Sequence, residues 1–571
     1  MTVESLITQH IDTWTSAVKT KSTSGRGSSK KLELYGVKKL RELILELAVR
    51  GKLVPQDPSD EPASVLLERI AAEKAQLVKE KKIKKPKKLA DISEEEKPFL
   101  LPNGWAWIRL NEYGEWGSGS TPKRSNSEYY GGSIPWFKSG ELKADYISVS
   151  EETITDLALA ETSVRYNNVG DVLVAMYGAT IGKTAILSVR ATTNQAVCAC
   201  TPFIGLSNTY LLLLLKAYKS RLIGMGAGGA QPNISREKII NTVIALPSEN
   251  EQHRIVAKVD ELMALCDQLE QQTEASIDAH QLLVSTLLNT LTNSADADEL
   301  MENWARISDH FDTLFTTEES IDQLKQTILQ LAVMGKLVPQ DPNDEPASVL
   351  LERIAEEKAQ LIEEKKIKKQ KALPPIADDE KPFDLPNGWE WTRFGYLVNF
   401  KAELVRPEEY LDLDQVAPDS IEKGTGKLIK RRTVAESGVK GPNSRFYAGQ
   451  VLYSKIRPSL SKAIIAEFDG LCSADMYPLE AMVNSEFLLK IILSEVFLTQ
   501  VRAAENRIKM PKLNVDSLSN ILVPICPDNE MGRITSKLTE LLFVSDQLKQ
   551  NINKSHQTQL QLTDAIVERA V

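Results

Sequence analysis

The sequence predicts an α+β protein: two mixed α/β domains joined by long antiparallel helical (coiled-coil) spacers, in a pseudo-two-fold internal repeat. Three observations lead there. Long stretches of the chain occur twice. Two stretches of about forty residues carry apolar positions at alternating steps of four and three, the seam of a coiled coil. The segments between them read as short strands and buried helices bounded by turn residues.

The doubling comes first, because it organises everything else. Residues 45–109 match residues 329–393 without a gap, with 49 identities in 65 positions. GKLVPQDP at Gly51 to Pro58 recurs at Gly335 to Pro342, and LPNGW at Leu101 to Trp105 recurs at Leu385 to Trp389. A weaker match, offset by 279, pairs Asn250 to Leu269 with Asn529 to Leu548, Lys183 with Lys462 and Pro232 with Pro511. The flanks are near-identical, while the middles agree at few positions. Shared flanks suit a common task, such as holding the same partner twice. Unlike middles suit two different targets, and drift after duplication gives no reason for such unequal divergence.

In chain order, this reading places an N-terminal helical region over 1–104, a first variable domain over 105–245 and a central helical spacer over 246–388. A second variable domain over 389–524 and a C-terminal helix over 525–571 follow. Helices begin near Pro62 and Pro346, since proline suits a helix start. The lysine runs at 79–88 and 363–371 that follow them read as solvated linkers, with phosphate contact as the alternative. Val172 to Met176 and Ala185 to Ser188 read as strands, and Tyr210 to Tyr218 as a buried helix. Their counterparts are Val451 to Ile456, Ala463 to Glu467 and a helix over Phe487 to Val501. The first spacer seam is Ile255, Val259, Leu262, Cys266, Leu269, Leu283 and Leu287. The second is Ile534, Leu538, Leu541, Ser545, Leu548, Ile552, Leu562 and Ile566. A helix of about forty residues is about 60 Å long, so two of them could pair as a rigid spacer. His280 reads as a solvated residue of the polar middle, not a ligand.

Composition narrows the class. Of 571 residues, 42% are hydrophobic and 26% charged, which is ordinary globular usage. Five scattered cysteines fit neither a disulfide framework nor a cysteine-ligated zinc. No secretory start or membrane-spanning run is visible, so a reduced, cytoplasmic protein with no membrane partner is expected. The net charge of −9 argues against nucleic acid until its distribution is examined. Residues 249–322 hold 17 acidic and 3 basic residues, whereas 162–240 hold 8 basic and 2 acidic, and 423–462 hold 10 basic and 1 acidic. Base is concentrated in the variable middles of both halves, as a surface that neutralises phosphates requires.

Apparent catalytic motifs dissolve on inspection. GATIGKT at Gly178 to Thr184 lacks the first glycine of a phosphate loop, Tyr177 standing there, and its counterpart RPSLSKA has no glycine. GMGAGG at Gly224 to Gly229 follows a helical run and leads into a loop, the wrong context for a dinucleotide fingerprint. The N/D-P-P-aromatic tetrapeptide of adenine methyltransferases is absent, as are H-E-x-x-H and G-x-S-x-G. The chain reads as non-catalytic, with no metal or cofactor of its own.

LPNGW-x-W, GSGSTP, IPWFKSGEL, GDVLVAMYGATIGK and LPSENEQHRIV together resemble the specificity subunit of type I restriction–modification enzymes, and the N-terminal stretch looks like the longer members of that family. The resemblance implies two target-recognition domains that read a bipartite, asymmetric site in double-stranded DNA. It implies two modification subunits that use S-adenosylmethionine, and restriction or translocase subunits that use ATP and Mg. A specificity adaptor of a modification-only or phage-exclusion system is the alternative. Arg and Lys favour guanine edges, and Asn and Gln favour adenine. The first domain accordingly offers Lys123, Arg124, Lys138, Ser139, Tyr177, Lys183, Gln195 and Gln231. The second offers Lys427, Lys430, Arg431, Arg432, Lys455, Arg457, Lys462, Arg507 and Lys509. Most of these should meet phosphates, with Gln195, Gln231 and Arg457 the better readers of bases.

Overall fold

Pro62 and Pro346 cap helices Ala63–Lys79 and Ala347–Glu363, where a fixed φ is pre-set for the first turn. The computed structural model describes residues 3–22, 30–81, 83, 89–226, 232–295, 297–367, 371–401, 403–504 and 511–571. They divide into two units, Met1–Ser276 with His556–Val571, and Ile277–Ser555.

In the first unit, helix Tyr35–Val49 buries Val37, Leu40, Leu43, Ile44 and Leu47, the stripe expected of a 3.6-residue period. It packs on helix Asn208–Ala217, which buries Leu211 through Leu215 and lies in turn against the sheet. A helix apolar on every side needs cover on every side, and these two neighbours supply it. The main sheet has five strands in the order Gly114–Ser118, Val197–Pro202, Val172–Ala175, Thr184–Leu187, Tyr146–Ile147. A second sheet sets Tyr130–Phe137 between Thr192–Thr193 and Glu152–Ile154. Ala106–Arg109 pairs antiparallel with Val243–Leu246, so the two ends of the variable segment are tied together.

The second unit has two four-stranded sheets. One runs Val398–Phe400, Met476–Ala481, Val451–Ser454, Ala463–Ile465; the other Glu403–Val405, Asn443–Phe446, Gly470–Cys472, Asp414–Val416. Here Glu390–Arg393 pairs with Leu522–Ile525. The strands and the Tyr210 helix lie where the sequence places them. The helix read as continuous over Phe487 to Val501 is broken at Ser494 into Ser485–Leu493 and Glu495–Ala504. Ser494 is in extended backbone, and its hydroxyl caps Phe497 N.

The repeated strings perform the same local task in each unit. Trp105 Nε1 donates to Glu251 at 2.9 Å, and Trp389 Nε1 to Glu530 at 3.1 Å. Gln56 and Gln340, from the two GKLVPQDP strings, donate to the same carboxylates at 3.2 and 3.3 Å. Burial pushes both carboxyl pKa values up. Arg254 pairs with Asp60 at 2.7 Å and Arg533 with Asp344 at 2.5 Å. Arg109 and Arg393, both buried, pair with Glu96 and Glu380.

The long helices Glu249–Asn293 and Asp528–Ala570 follow the predicted seams only part of the way. Ile255, Val259, Leu262 and Cys266 are buried, but beyond Thr273 the buried positions are Val284, Leu288 and Leu291. Leu283 is 50% exposed and Leu562 48%, while the neighbours Val284 and Thr563 are buried. An α-helix turns every 3.6 residues, so a strict 3.5-residue seam drifts by about 20° per heptad and after several heptads lands one residue off. His280 is solvent-facing, with its ring beside the Thr313 carbonyl at 3.2 Å.

Candidate nucleic-acid interface

Strand register decides which loops meet. In the first unit Cys198 lies opposite Ser118, Val197 opposite Ala175, and Val174 opposite Thr184. One end of the sheet therefore carries the loops after Ser118, after Ala175 and before Val197. Thr193 lies opposite Phe137 in the second sheet, and Asn194 N donates to the Phe137 carbonyl at 3.0 Å. That brings Lys138 and Ser139 beside Gln195. Thr121 Oγ1 donates to Gln195 Oε1, and Tyr130 OH to the Pro122 carbonyl at 2.6 Å, which holds the Lys123–Arg124 loop at the same end. Tyr177 bridges Asn233, with Gly178 N donating to Pro232 O at 2.8 Å. Seven of the eight residues proposed for this half thus gather at one sheet end; Gln231 lies outside the described residues.

The second unit builds the equivalent end with different chemistry. Arg457 N donates to Pro511 O at 2.8 Å, and Ile456 bridges Lys512. Both connecting loops contain one 3-10 turn, Gly178–Thr180 and Pro458–Leu460. Both loops hold two left-handed residues four positions apart, one at the start of the turn or just before it and one beyond its end. In the first loop these are glycines, Gly178 at φ +58° and Gly182 at +76°. In the second they are Arg457 at +45° and Ser461 at +48°. Glycine takes that conformation freely, whereas a residue with a Cβ is strained by about 1–2 kcal/mol. The second loop therefore keeps a strained backbone and gains an exposed guanidinium.

The remaining candidates differ in how far their charge is already engaged. Arg124 pairs with Glu152 at 2.6 Å and lies over the Tyr130 and Trp136 rings, and Lys138 reaches Glu152 at 2.9 Å. These cations hold the Glu152 carboxyl below its ordinary pKa. Arg431 pairs with Asp414 at 2.6 Å and Arg432 with Asp419 at 3.1 Å. Lys427 reaches Asp546 on the long helix at 3.1 Å. Lys462 Nζ donates to Pro418 O at 2.6 Å, and Lys455 lies over the Tyr477 ring. Lys123, Lys183, Lys430 and Arg457 form no ion pair among the described residues. Gly424 N donates to Ser461 O at 3.1 Å, so the basic 423–432 segment adjoins the Arg457 loop. Arg507 and Lys509 lie outside the described residues. Asn233 and Lys512, missed from sequence, are flagged by the Pro232 and Pro511 correspondence beside them.

A family model described as the type I restriction modification DNA specificity domain matches residues 102–279. The chain is 44% identical over 603 aligned positions to the type I restriction enzyme EcoAI specificity subunit of Escherichia coli, with all of both chains covered. The chain belongs to the type I restriction enzyme specificity subunits. It is also 41% identical over 606 positions to the EcoEI specificity subunit of Escherichia coli, again with both chains fully covered. A chain of a solved structure described as the structural basis underlying complex assembly and conformational transition of the type I R-M system aligns over 83% of this chain and 99% of its own. It does so at 16% identity with a TM-score of 0.48. As a specificity subunit the chain is not itself the catalyst, in line with the reading of its motifs. The resemblance drawn from LPNGW, IPWFKSGEL and GDVLVAMYGATIGK therefore holds. Among the described residues no group of three His, Cys, Asp or Glu could hold a metal, and no helix is long and apolar enough to cross a membrane.

Proposed function

We propose that this specificity subunit reads a bipartite, asymmetric site in double-stranded DNA, one half with each variable segment, and holds two modification subunits and the restriction or translocase subunits around it. The observation that carries the reading is the pairing of like platforms with unlike tips. The Trp105–Glu251–Gln56 set recurs as Trp389–Glu530–Gln340, yet the loops after Ala175 and after Ser454 present glycines in one unit and Arg457 in the other. Common platforms suit identical partners, and different tips suit different bases.

The strand pairs 106–109 with 243–246 and 390–393 with 522–525 support domain limits of 105–245 and 389–524. Of the proposed DNA contacts, Lys123, Lys183, Lys430 and Arg457 are the most available. Those already paired would have to exchange a carboxylate for a phosphate. The helices Glu249–Asn293 and Asp528–Ala570 are the proposed antiparallel spacer that sets the distance between half-sites. S-adenosylmethionine, ATP and Mg would belong to the partner subunits, in the cytoplasm. The EcoAI and EcoEI chains are named as restriction enzyme subunits, which favours a restriction complex over a modification-only adaptor.

Exchanging residues 105–245 for those of a relative tests this. Genome-wide mapping of methylated adenines should show one half-site replaced and the other kept. A change in both halves, or methylation indifferent to flanking bases, would reject it.

A further inference from the structure

We propose that Arg124 in the first unit and Arg432 in the second each read a guanine, and that Glu152 and Asp419 are the positioning residues that hold them for it. The inference rests on the DNA-recognition reading above and deepens it, by naming a base and the residues that select it.

The two variable segments share more structure than their sequences show. Trp136 and Phe137 run parallel to Thr192 and Thr193, and Gln415 and Val416 run parallel to Leu471 and Cys472. Each of the first four residues stands 279 before its counterpart, the offset that joins Lys183 to Lys462. Asn194 N donates to the Phe137 carbonyl at 3.0 Å, and Ser473 N to the Val416 carbonyl at 2.9 Å. A 3-10 turn follows in each unit, Ser139–Glu141 and Pro418–Ser420. Trp136 and Gln415 therefore occupy one position of the fold. It adjoins the loops proposed to meet DNA. Trp136 Nε1 donates to Ser120 O at 3.1 Å, in the loop after Ser118. Lys462 Nζ, donating to Pro418 O, ties the second turn to the loop after Ser454.

Each position holds an arginine. The Arg124 guanidinium lies 5.0 Å from the centre of the Trp136 ring and 4.7 Å from that of Tyr130. Its Nη1 donates to Glu152 Oε2 at 2.6 Å and its Nη2 to Oε1 at 3.4 Å. Glu152 stands opposite Trp136 in the sheet. Arg432 donates from Nε to Gln415 Oε1 and from Nη2 to Asp419 Oδ1, both at 3.1 Å. The arginines are not repeats of one another: 279 residues after Arg124 stands Glu403, and 279 before Arg432 stands Thr153. A feature kept by descent alone would reuse the residue. Here arginine returns to one place from different parts of the chain, with different residues holding it, as a shared demand on that place produces.

Guanidinium chemistry names the demand. A guanidinium has more donors than the two that each arginine spends on its supports. A phosphate would have to displace the carboxylate. A guanine edge is uncharged, leaves the carboxylate in place and offers two acceptors, O6 and N7, to a planar pair of donors. Such reading needs a side chain held in one orientation, and the rings, amide and carboxylates supply that before DNA arrives. The lysines without ion pairs carry charge on flexible stems, which suits phosphates.

The test measures binding of the full-length chain to a duplex carrying its mapped methylation site, and to duplexes with one base pair of that site replaced in turn. Arg124→Ala should erase discrimination of about 5- to 150-fold at one G·C pair of one half-site and keep the preferences at the other positions. On charge alone, Glu152→Gln would strengthen binding to every duplex; positioning predicts instead that it loses part of the discrimination at that same pair. Arg432→Ala and Asp419→Asn should act likewise on one G·C pair of the other half-site. Thermal midpoints identify a variant that misfolds, and the corresponding variant of the other unit then decides. Arginine variants that weaken all duplexes equally and flatten the plot of log affinity against log salt by about 0.9 would make these phosphate contacts and overturn the guanine assignment. Unchanged base preferences in Glu152→Gln and Asp419→Asn would overturn the positioning role. In both cases wild-type preference for its site leaves the recognition reading standing, whereas a wild-type chain that binds its site no better than a random duplex would overturn that reading as well.

Discussion

Arg457 holds a left-handed backbone that its counterpart Gly178 takes at no cost. A strained non-glycine residue persists only where its surroundings hold it, and here the Pro511 carbonyl and the 3-10 turn at Pro458 do so. Arg457→Gly should relieve about 1 kcal/mol of strain and raise the thermal midpoint, yet weaken methylation that depends on the second half-site. Arg457→Ala should lose the same recognition without the gain in stability. Equal midpoints for the two variants would show that the backbone there is not strained. Lys358 makes a second prediction at this scale. Its ammonium donates to Gly395 O and Val398 O, both at 2.8 Å, and burial pushes its pKa down to about 8 from 10.5. Between those values the unfolded chain holds a proton that the folded chain has released, so this lysine makes stability rise with pH across that window. Below about 8 both states are protonated and the cost of burying the charge is fully present. Denaturant midpoints of wild type and Lys358→Met, compared across the window, should diverge, with the variant lacking that part of the rise.

At the scale of elements, the long helix Glu249–Asn293 shows where period analysis succeeds and where it fails. Ile255 through Cys266 were legible because four- and three-residue steps track the buried face over a few turns. Leu283 was misplaced because its apolar side chain fits a strict heptad, whereas the real stripe has drifted to Val284, Leu288 and Leu291. Val284→Ala should cost about 1–2 kcal/mol through lost packing, and Leu283→Ala less than about 0.5 kcal/mol. Urea denaturation that ranks them the other way would restore the heptad reading. Loops were harder than helices. The 279-residue offset already aligned Lys183 with Lys462. Nothing in RPSLSKA signals that it repeats the turn of GATIGKT with its two left-handed glycines, because left-handed backbone is normally announced by glycine. Ser494 broke a helix for a similar reason: its hydroxyl offers a cap that competes with helical continuation.

At the scale of the molecule, the doubled flanks were legible as sequence identity, and their meaning lies in contacts that identity cannot display. Glu251 and Glu530 each receive a tryptophan from one repeated string and a glutamine from another. The variable tips could be located by charge, but not divided between cations that are free and those already paired. Arg124, Lys138, Arg431 and Arg432 each face a carboxylate that sequence spacing did not foretell.

Residues His556–Val571 belong to the first unit, where Asp564 accepts from Tyr35 and Ile566 is buried. On the ribosome, the half that is made first is therefore the last to be completed. At about 5–20 residues per second, the wait between synthesis of Ser276 and of His556 is roughly 15–60 s. Nascent chains stalled before His556 should expose the first half to protease while protecting the second, and release of the finished chain should abolish the difference. Chaperones would meet this polypeptide chiefly through its N-terminal half during that interval.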